Sequence, residues 1–311
     1  MKAIVLKGFG GIEHLSPEEL PLPAPADKEV LVEVKSISIN PVDVKTRAGK
    51  GLAGRLRTED PIILGWDISG TVVESRSERF KKGDDVFGMV RFPGHGKAYA
   101  GYVSAPESDL AAKPAGISHN EAAAATLAAL TAWRALVTNG HVSKGQRVLI
   151  HAAAGGVGHY AVQIAKYLGA YVIGTASAGN RDFVLGLGAD EHIDYKSQDL
   201  EGTVKDVDFV LDPIGGDCID KSLSVVRRGG TIVSITSGMN ESVAEKAAAM
   251  GINGVRFLVG SSGDDMHEIA VLLDKGALKS HVSQVFPFAE MGQAHLQIES
   301  GRTRGKITLE L

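Results

Sequence analysis

Chemistry is most legible in this chain between Val148 and Asn180, which read VLIHAAAGGVGHYAVQIAKYLGAYVIGTASAGN. An apolar run enters a glycine loop, a helical pattern follows, and a second apolar run closes the segment. The spacing Ala153-x-Gly155-x-x-Gly158 is the dinucleotide fingerprint with its first glycine replaced by alanine. Here Ala154, Gly155, Gly156 and Val157 form the loop around a pyrophosphate. Gly155 lets the backbone approach the anion, Gly158 lets helix and strand pack closely, and free N–H groups at the helix start attract negative charge. The end of the second run decides which dinucleotide is held, because NAD sites carry Asp or Glu about 20 residues on to bind the ribose hydroxyls. Thr175 and Ala176 stand there instead, so the carboxylate that would repel a 2′-phosphate is missing. Ser177, Asn180 and Arg181 follow, two hydrogen-bonding groups and a permanent cation suited to a phosphate. The pattern predicts NADP(H). The alternative for Arg181 is an ordinary solvated residue in the first turn of a helix.

The elements that must position this loop divide the chain into three regions. From Met1 to about His119, short β-rich runs such as EVLVEVKSISI and DISGTVVES alternate with Pro/Gly punctuation in LPLPAPAD and RFPGHGK. From about Asn120 to Gly260, helical patterns alternate with the strands RVLIHA, AYVIGTA, VDFVLDP and GTIVSI, the rhythm of a parallel sheet. The tail gives one helix, MHEIAVLLDKGAL, and the β-like pieces VSQVFPF and GKITLEL, which can rejoin the first region. At 311 residues the chain exceeds the usual size of one core. The expected class is therefore α/β, with a β-rich domain from residues 1–121 and 261–311 and a doubly wound domain from 122–260.

Composition excludes several functions. A formal net charge of −4 and scattered Lys and Arg leave no footprint for nucleic acid. The single cysteine, Cys218, excludes an intrachain disulfide framework and any multi-cysteine metal site, and is read as a small buried or loop thiol. The start MKAIVLKGFG lacks the apolar core of a signal peptide, and no run of about 18 apolar residues occurs, so a cytoplasmic protein with no membrane partner is expected. His95, alone on a glycine-rich loop, is assigned no role, and Tyr99 and Tyr102 read as strand packing.

Five stretches carry a family resemblance: AAAGGVGHYAVQIAKYLGA, DPIGG at Asp212 to Gly216, RRGGTIVSI, SINPVDVKTRAG and ESGRTRGKITL. In order and spacing they resemble the zinc-independent quinone oxidoreductase branch of the medium-chain dehydrogenase/reductase superfamily, over essentially the whole chain. The resemblance implies a GroES-like catalytic domain built from both chain ends, an inserted Rossmann cofactor domain, a cleft between them, and a homodimer. It puts Asn40 near the nicotinamide and the substrate carbonyl, with Asp43 and Lys45 as further candidates on the same stretch and Asp67 able to pair with Lys45. The plainer readings are an Asn-Pro turn at Asn40 and solvated charges at the others. On the cofactor side the resemblance implies Thr131 near the nicotinamide, Tyr195 over the adenosine end, Thr236 at a strand C-terminus, and Leu258 and Val259 beside the carboxamide. Arg304 is either a phosphate contact or a surface cation.

Zinc relatives of this branch set a test. Where they carry a ligand Cys this chain reads SINPVDV, where they carry Gly-His-Glu it reads Gly65-Trp66-Asp67, and at the third ligand position it has Leu127. Catalytic zinc needs three N, S or carboxylate ligands and an open position, so no metal is expected. Without a Lewis acid the acceptor must already be electrophilic, which points to hydride transfer from NADPH to a quinone or an α,β-unsaturated carbonyl. Two rivals stand beside this reading. One is a catalytically idle NADPH-binding sensor or structural protein; the other, a short-chain dehydrogenase, lacks its Tyr-x-x-x-Lys pair here.

Overall fold

A computed structural model describes residues 1–311. The chain forms two compact units, Met1–Leu130 with Val259–Leu311, and Thr131–Leu258. The first division falls after Leu130 rather than at 121, because the helix His119–Ala124 packs on the strands Glu29–Ser38 and Asp67–Ser75 of the first unit.

The first unit is built on a seven-stranded sheet. Its path runs Val282–Pro287, Lys306–Glu310, Glu29–Ser38, Asp67–Ser75, Asp85–Met89, Leu110–Ala112, and Tyr102–Pro106 pairs with Glu29–Ser38 off that path. All pairs are antiparallel except the first. Alternation puts Val30, Val32 and Val34 into the core with Ile68, Val86 and Leu309, so side-chain period fixes register. The same register brings residues far apart in sequence side by side. Thr308 lies opposite Ser38, which carries Lys306 opposite Asn40, and Ser38 also lies opposite Asp67 on its other side. The tail also contains a helix, Met291–Glu299, that its mixed composition did not announce.

The second unit is a six-stranded parallel sheet in the order Glu191–Asp194, Tyr171–Ala176, Arg147–Ile150, Val207–Asp212, Val226–Ser234, Asn253–Arg256. This is the strand order of a dinucleotide-binding doubly wound sheet, which reverses beside the strand Arg147–Ile150. Leu149, Ile173, Val210 and Ile232 form its buried centre. The run Val148–Ile150 is apolar throughout because both faces of such a sheet are covered.

Candidate functional site

In the second unit the strand Arg147–Ile150 leads into the loop 151–157 and the helix Gly158–Tyr167. The tight turn of the fingerprint falls on Ala152, with φ +47°, one residue before the position the spacing suggested. Ala153 instead lies buried with its N–H on the Thr175 carbonyl at 2.9 Å. A non-glycine residue in the left-handed region stores of order 1–3 kcal/mol and persists where its surroundings hold it. Here the Ala152 carbonyl accepts from Gly155 N at 2.8 Å. Gly158 leaves no room for a side chain: a Cβ would lie 2.1 Å from the Ala152 carbonyl oxygen. At Gly155 the same construction gives 3.2 Å to that oxygen. Gly155, Gly156 and Val157 are partly exposed and Ala154 is buried, so the loop offers backbone rather than side chains.

Beyond the strand Tyr171–Ala176, Ala176 is buried and Ser177 starts a short turn of helix. The Asn180 amide donates to Ser177 Oγ at 3.2 Å. The Arg181 side chain is 63% exposed, and its ion pair with Asp182 is long, at 3.8 Å, to a fully solvated carboxylate. Such a pair holds the guanidinium weakly, which leaves it able to meet a phosphate. Thr175 is different from expectation: its hydroxyl is buried and lies 3.1 Å from His151 Nδ1, so strand pleating turns it inward. His151 Nε2 reaches Ser222 Oγ at 2.9 Å, and burial holds this ring below the usual histidine range. Tyr195 is exposed with Lys196 over its ring, Thr236 is half-buried just beyond the strand Val226–Ser234, and Thr131 is buried. Leu258 is exposed at the end of the second unit, while buried Val259 and exposed Arg304 belong to the first.

The first unit assembles a buried polar cluster that sequence reasoning grasped only at one corner. Asn40 precedes the helix Pro41–Arg47, with proline at its first position. Its backbone N–H donates to Asp43 Oδ2 at 2.7 Å, half of a capping box with Asp43. In addition Asn40 Nδ2 donates to Asp67 Oδ2 at 2.7 Å, and Asn40 Oδ1 accepts from Lys306 Nζ at 2.5 Å. Lys306 also donates to the Ile39 carbonyl at 2.8 Å, and Asp67 Oδ1 accepts from Leu127 N at 3.1 Å. All four charged or amide side chains are buried. Burial, then the neighbouring Asp67 charge, pushes Asp43 up to about 7, against the Asn40 backbone N–H, the Lys306 charge and the Tyr99 hydroxyl. Burial also raises Asp67 against the pull of Lys306, and lowers Lys306 against the pull of both carboxylates.

Lys45 takes no part in this cluster. It projects from the exposed face of its helix, so the partner expected for Asp67 is replaced by Asn40 and the Lys306 ammonium. Tyr99 is more than packing: its hydroxyl lies 2.9 Å from His295 Nε2, whose Nδ1 faces Arg47 at 3.4 Å, and Arg47 pairs with Glu299 at 2.5 Å. Lys306 and His295 escaped notice because each comes from the tail and meets its partners only through long-range packing. His95 is buried rather than solvated, with Nδ1 beside Glu59 at 2.8 Å and Nε2 against the Ile63 backbone, a structural role.

His295 ties stability to pH. Burial and the Arg47 charge push it down to about 3. The native state thus refuses a proton that the unfolded chain takes up below the ordinary value of 6.5, so His295 contributes stability that is present above about 6.5 and is lost as pH falls toward 3. His295→Gln, which keeps a partner for Tyr99, is expected to flatten the dependence of stability on pH by one proton, about 1.4 kcal/mol per pH unit, in that window. Urea midpoints at several pH values check it; parallel curves for the two proteins would refute it.

No group of three or more His, Cys, Asp or Glu side chains converges to hold a metal. Trp66 is fully buried with its indole N–H on the Gly94 carbonyl at 2.7 Å, and Leu127 supplies only its backbone N–H to Asp67. Cys218 lies in the second unit, its thiol pushed up to about 12 by burial and the Asp212 charge. The donor set does not fit zinc.

A β-rich unit from both chain ends with a doubly wound dinucleotide unit between them defines an oxidoreductase of the medium-chain class. Profiles described as the alcohol dehydrogenase GroES-like domain and as zinc-binding dehydrogenase match residues 26–115 and 187–309. The chain is 33% identical to a chloroplastic quinone-oxidoreductase homolog of Spinacia oleracea, covering 100% of this chain and 98% of the relative. It is 32% identical to a chloroplastic NADPH-dependent alkenal/one oxidoreductase of Arabidopsis thaliana, covering 99% and 79%. Among solved structures, the quinone oxidoreductase from Coxiella burnetii superposes with a TM-score of 0.95 at 36% identity, over 100% of this chain and 99% of that one. The Escherichia coli quinone oxidoreductase complexed with NADPH gives 0.87 at 29% identity, over the whole of both chains. The chain belongs to the quinone oxidoreductase branch of the medium-chain dehydrogenase/reductase superfamily. It is an oxidoreductase whose cofactor is NADP(H). No helix is long and apolar enough to cross a membrane.

Proposed function

We propose that the protein reduces a quinone or an α,β-unsaturated carbonyl without zinc. The observation that carries this reading is the set of groups at the positions where zinc relatives hold their ligands: a buried indole, a leucine, and an asparagine amide fixed between Asp67 and Lys306. Bound NADPH supplies the hydride. Ala154 to Gly158 hold its pyrophosphate, Ser177, Asn180 and Arg181 its 2′-phosphate, and Thr131, Tyr195, Thr236, Leu258 and Val259 its remaining length. Arg304 and Thr175 have the weakest claims, since Thr175 spends its hydroxyl on His151. Asn40 donates a hydrogen bond to the acceptor's carbonyl oxygen, where charge develops. Lys45, exposed on the same helix, has no such role in this proposal. A cytoplasmic homodimer belongs to the same reading.

The test is NADPH oxidation against a panel of quinones and enones, with metal analysis of the same preparation. Turnover without stoichiometric zinc, insensitive to chelator, and no appreciable oxidation of ethanol are expected, because nothing lowers the alcohol's pKa. One zinc per chain with chelator-sensitive activity would overturn the mechanism. NADPH binding without turnover on any acceptor would favour the idle binding protein instead.

Cofactor choice gives a second test. Arg181→Ala is expected to weaken NADPH binding by about 10- to 100-fold, the worth of one charge-assisted contact of roughly 1.5–3 kcal/mol. NADH binding stays nearly unchanged, since it offers the guanidinium no phosphate. Fluorescence titration of both cofactors decides it. A loss shared equally by the two would show that Arg181 does not read the 2′-phosphate.

A further inference from the structure

The Asn40 side chain is held in a way its local sequence does not require. An asparagine preceding a helix ordinarily turns its side chain onto the first free backbone N–H groups. Here the Asn40 side chain and Asp43 form a reciprocal capping box, in which Asp43 accepts from Asn40 N, yet the closest polar contacts of the carboxamide lie elsewhere. The carboxamide is thus also held by two other elements, at 2.7 and 2.5 Å. Lys306 begins the strand that register sets opposite Asn40, and Asp67 begins the strand on the other side.

The two arms of an amide are nearly equal in shape, so its partners decide which holds the oxygen and which the nitrogen. With an ammonium on one arm and a carboxylate on the other, a flipped amide would aim its N–H at Lys306 and its C=O at Asp67. Both contacts would be repulsive among buried side chains, where such errors are costly. Each partner is itself anchored to backbone, Lys306 on the Ile39 carbonyl and Asp67 on Leu127 N. An amide carries two N–H donors. Asp67 takes one, and the second is left for another acceptor.

We propose that Lys306 and Asp67 are positioning residues that fix the Asn40 carboxamide in one orientation, so that its second N–H meets the acceptor's carbonyl oxygen. This rests on the reading of Asn40 as the hydrogen-bond donor to the acceptor. The ammonium on Oδ1 also polarises the amide, since hydrogen bonds in a chain strengthen one another. No proton leaves the amide: it stabilises negative charge on the oxygen after hydride arrives, and the proton for the product comes from elsewhere.

The experiment compares Asn40→Ala, the pair Lys306→Met with Asp67→Asn, the triple variant, and Asp67→Asn alone. The pair removes one positive and one negative charge together, so the net charge of the cluster is unchanged, although Asp43 loses its cation. Asn40→Ala is expected to lower kcat on an enone by about 100-fold or more, the usual loss for one such donor. The Lys306/Asp67 pair is expected to lower kcat by at least about 10-fold while NADPH affinity and acceptor KM stay within about twofold, because it disturbs orientation rather than binding. Adding Asn40→Ala to that pair then costs little more, because the donor is already misaligned. Asp67→Asn alone, nearly isosteric, is expected to fold and to show a partial loss of kcat, which carries the test if the pair does not fold. If Asn40→Ala leaves kcat intact, the donor reading fails. If Asn40→Ala lowers kcat but the pair and Asp67→Asn do not, or if the losses multiply in the triple variant, the positioning role fails while the donor reading stands.

Discussion

Lys306→Met is expected to destabilise the first unit by about 3–5 kcal/mol, the usual cost of removing one partner from a buried ion cluster. The apolar stem is kept, so the loss is electrostatic. Two carboxylates, Asp43 and Asp67, are left without the ammonium that lowers both, and the Asn40 oxygen and the Ile39 carbonyl lose their donor. Adding Asp67→Asn to Lys306→Met removes one of the two stranded charges and its repulsion of Asp43, so the double variant is expected to recover part of the loss. The two changes are directly coupled through one network, and their effects cannot add. Urea unfolding of the two single variants and the double closes this cycle. Additive losses, or a Lys306→Met midpoint equal to wild type, would show that the cluster is not coupled.

Gly158→Ala is expected to remove NADPH binding, with affinity falling by more than about 100-fold, and to cost the second unit about 1–3 kcal/mol or more from overpacking. The added methyl would meet backbone, 2.1 Å from the Ala152 oxygen and 2.8 Å from the Ala152 carbonyl carbon and Ala153 Cα. Neither residue can step aside cheaply: Ala153 N is bonded to the neighbouring strand, and Ala152 already sits in the left-handed region. Relief therefore comes only by moving the loop that meets the pyrophosphate. Gly155→Ala is the control, since 3.2 Å to one oxygen asks for a few tenths of an ångström. Titration of both variants with NADPH measures the contrast. Wild-type affinity in Gly158→Ala would refute the close approach.

The cofactor unit was readable because its signals are local. Strand, loop, helix and strand follow within Arg147–Ala176, and the absence of a carboxylate at Ala176 is a fact about one residue. Even there, the strained backbone lies at Ala152, one residue before the alanine that stands for the fingerprint's first glycine, and no residue type announces it. The cluster around Asn40 was legible only in part. Its members come from positions 40, 43, 67 and 306, joined by the antiparallel register of three strands. Lys306 looks like a solvated cation at the start of an apolar strand, and nothing local says that it is buried. His295 lies on a helix too mixed in composition to be recognised, yet it contacts Tyr99 far away in sequence. Family resemblance supplied Asn40 but not its clamp.

The sheet pairing of the tail has a consequence for how the protein is made. The strand Glu29–Ser38 leaves the ribosome early, but along Ser36–Ser38 its partner is the strand Lys306–Glu310. The second unit, one unbroken stretch, has all its strands available first and can fold as a unit during synthesis. Through that interval the first unit has an open sheet edge, and two carboxylates wait for their cation. A chain halted just short of Lys306 would carry every residue of the glycine loop and a native-like cofactor unit. It would nonetheless lack both the strand that joins Val282–Pro287 to the sheet and the countercharge of its acceptor-side cluster, leaving a nascent species with exposed β-edge for chaperones and proteases to recognise.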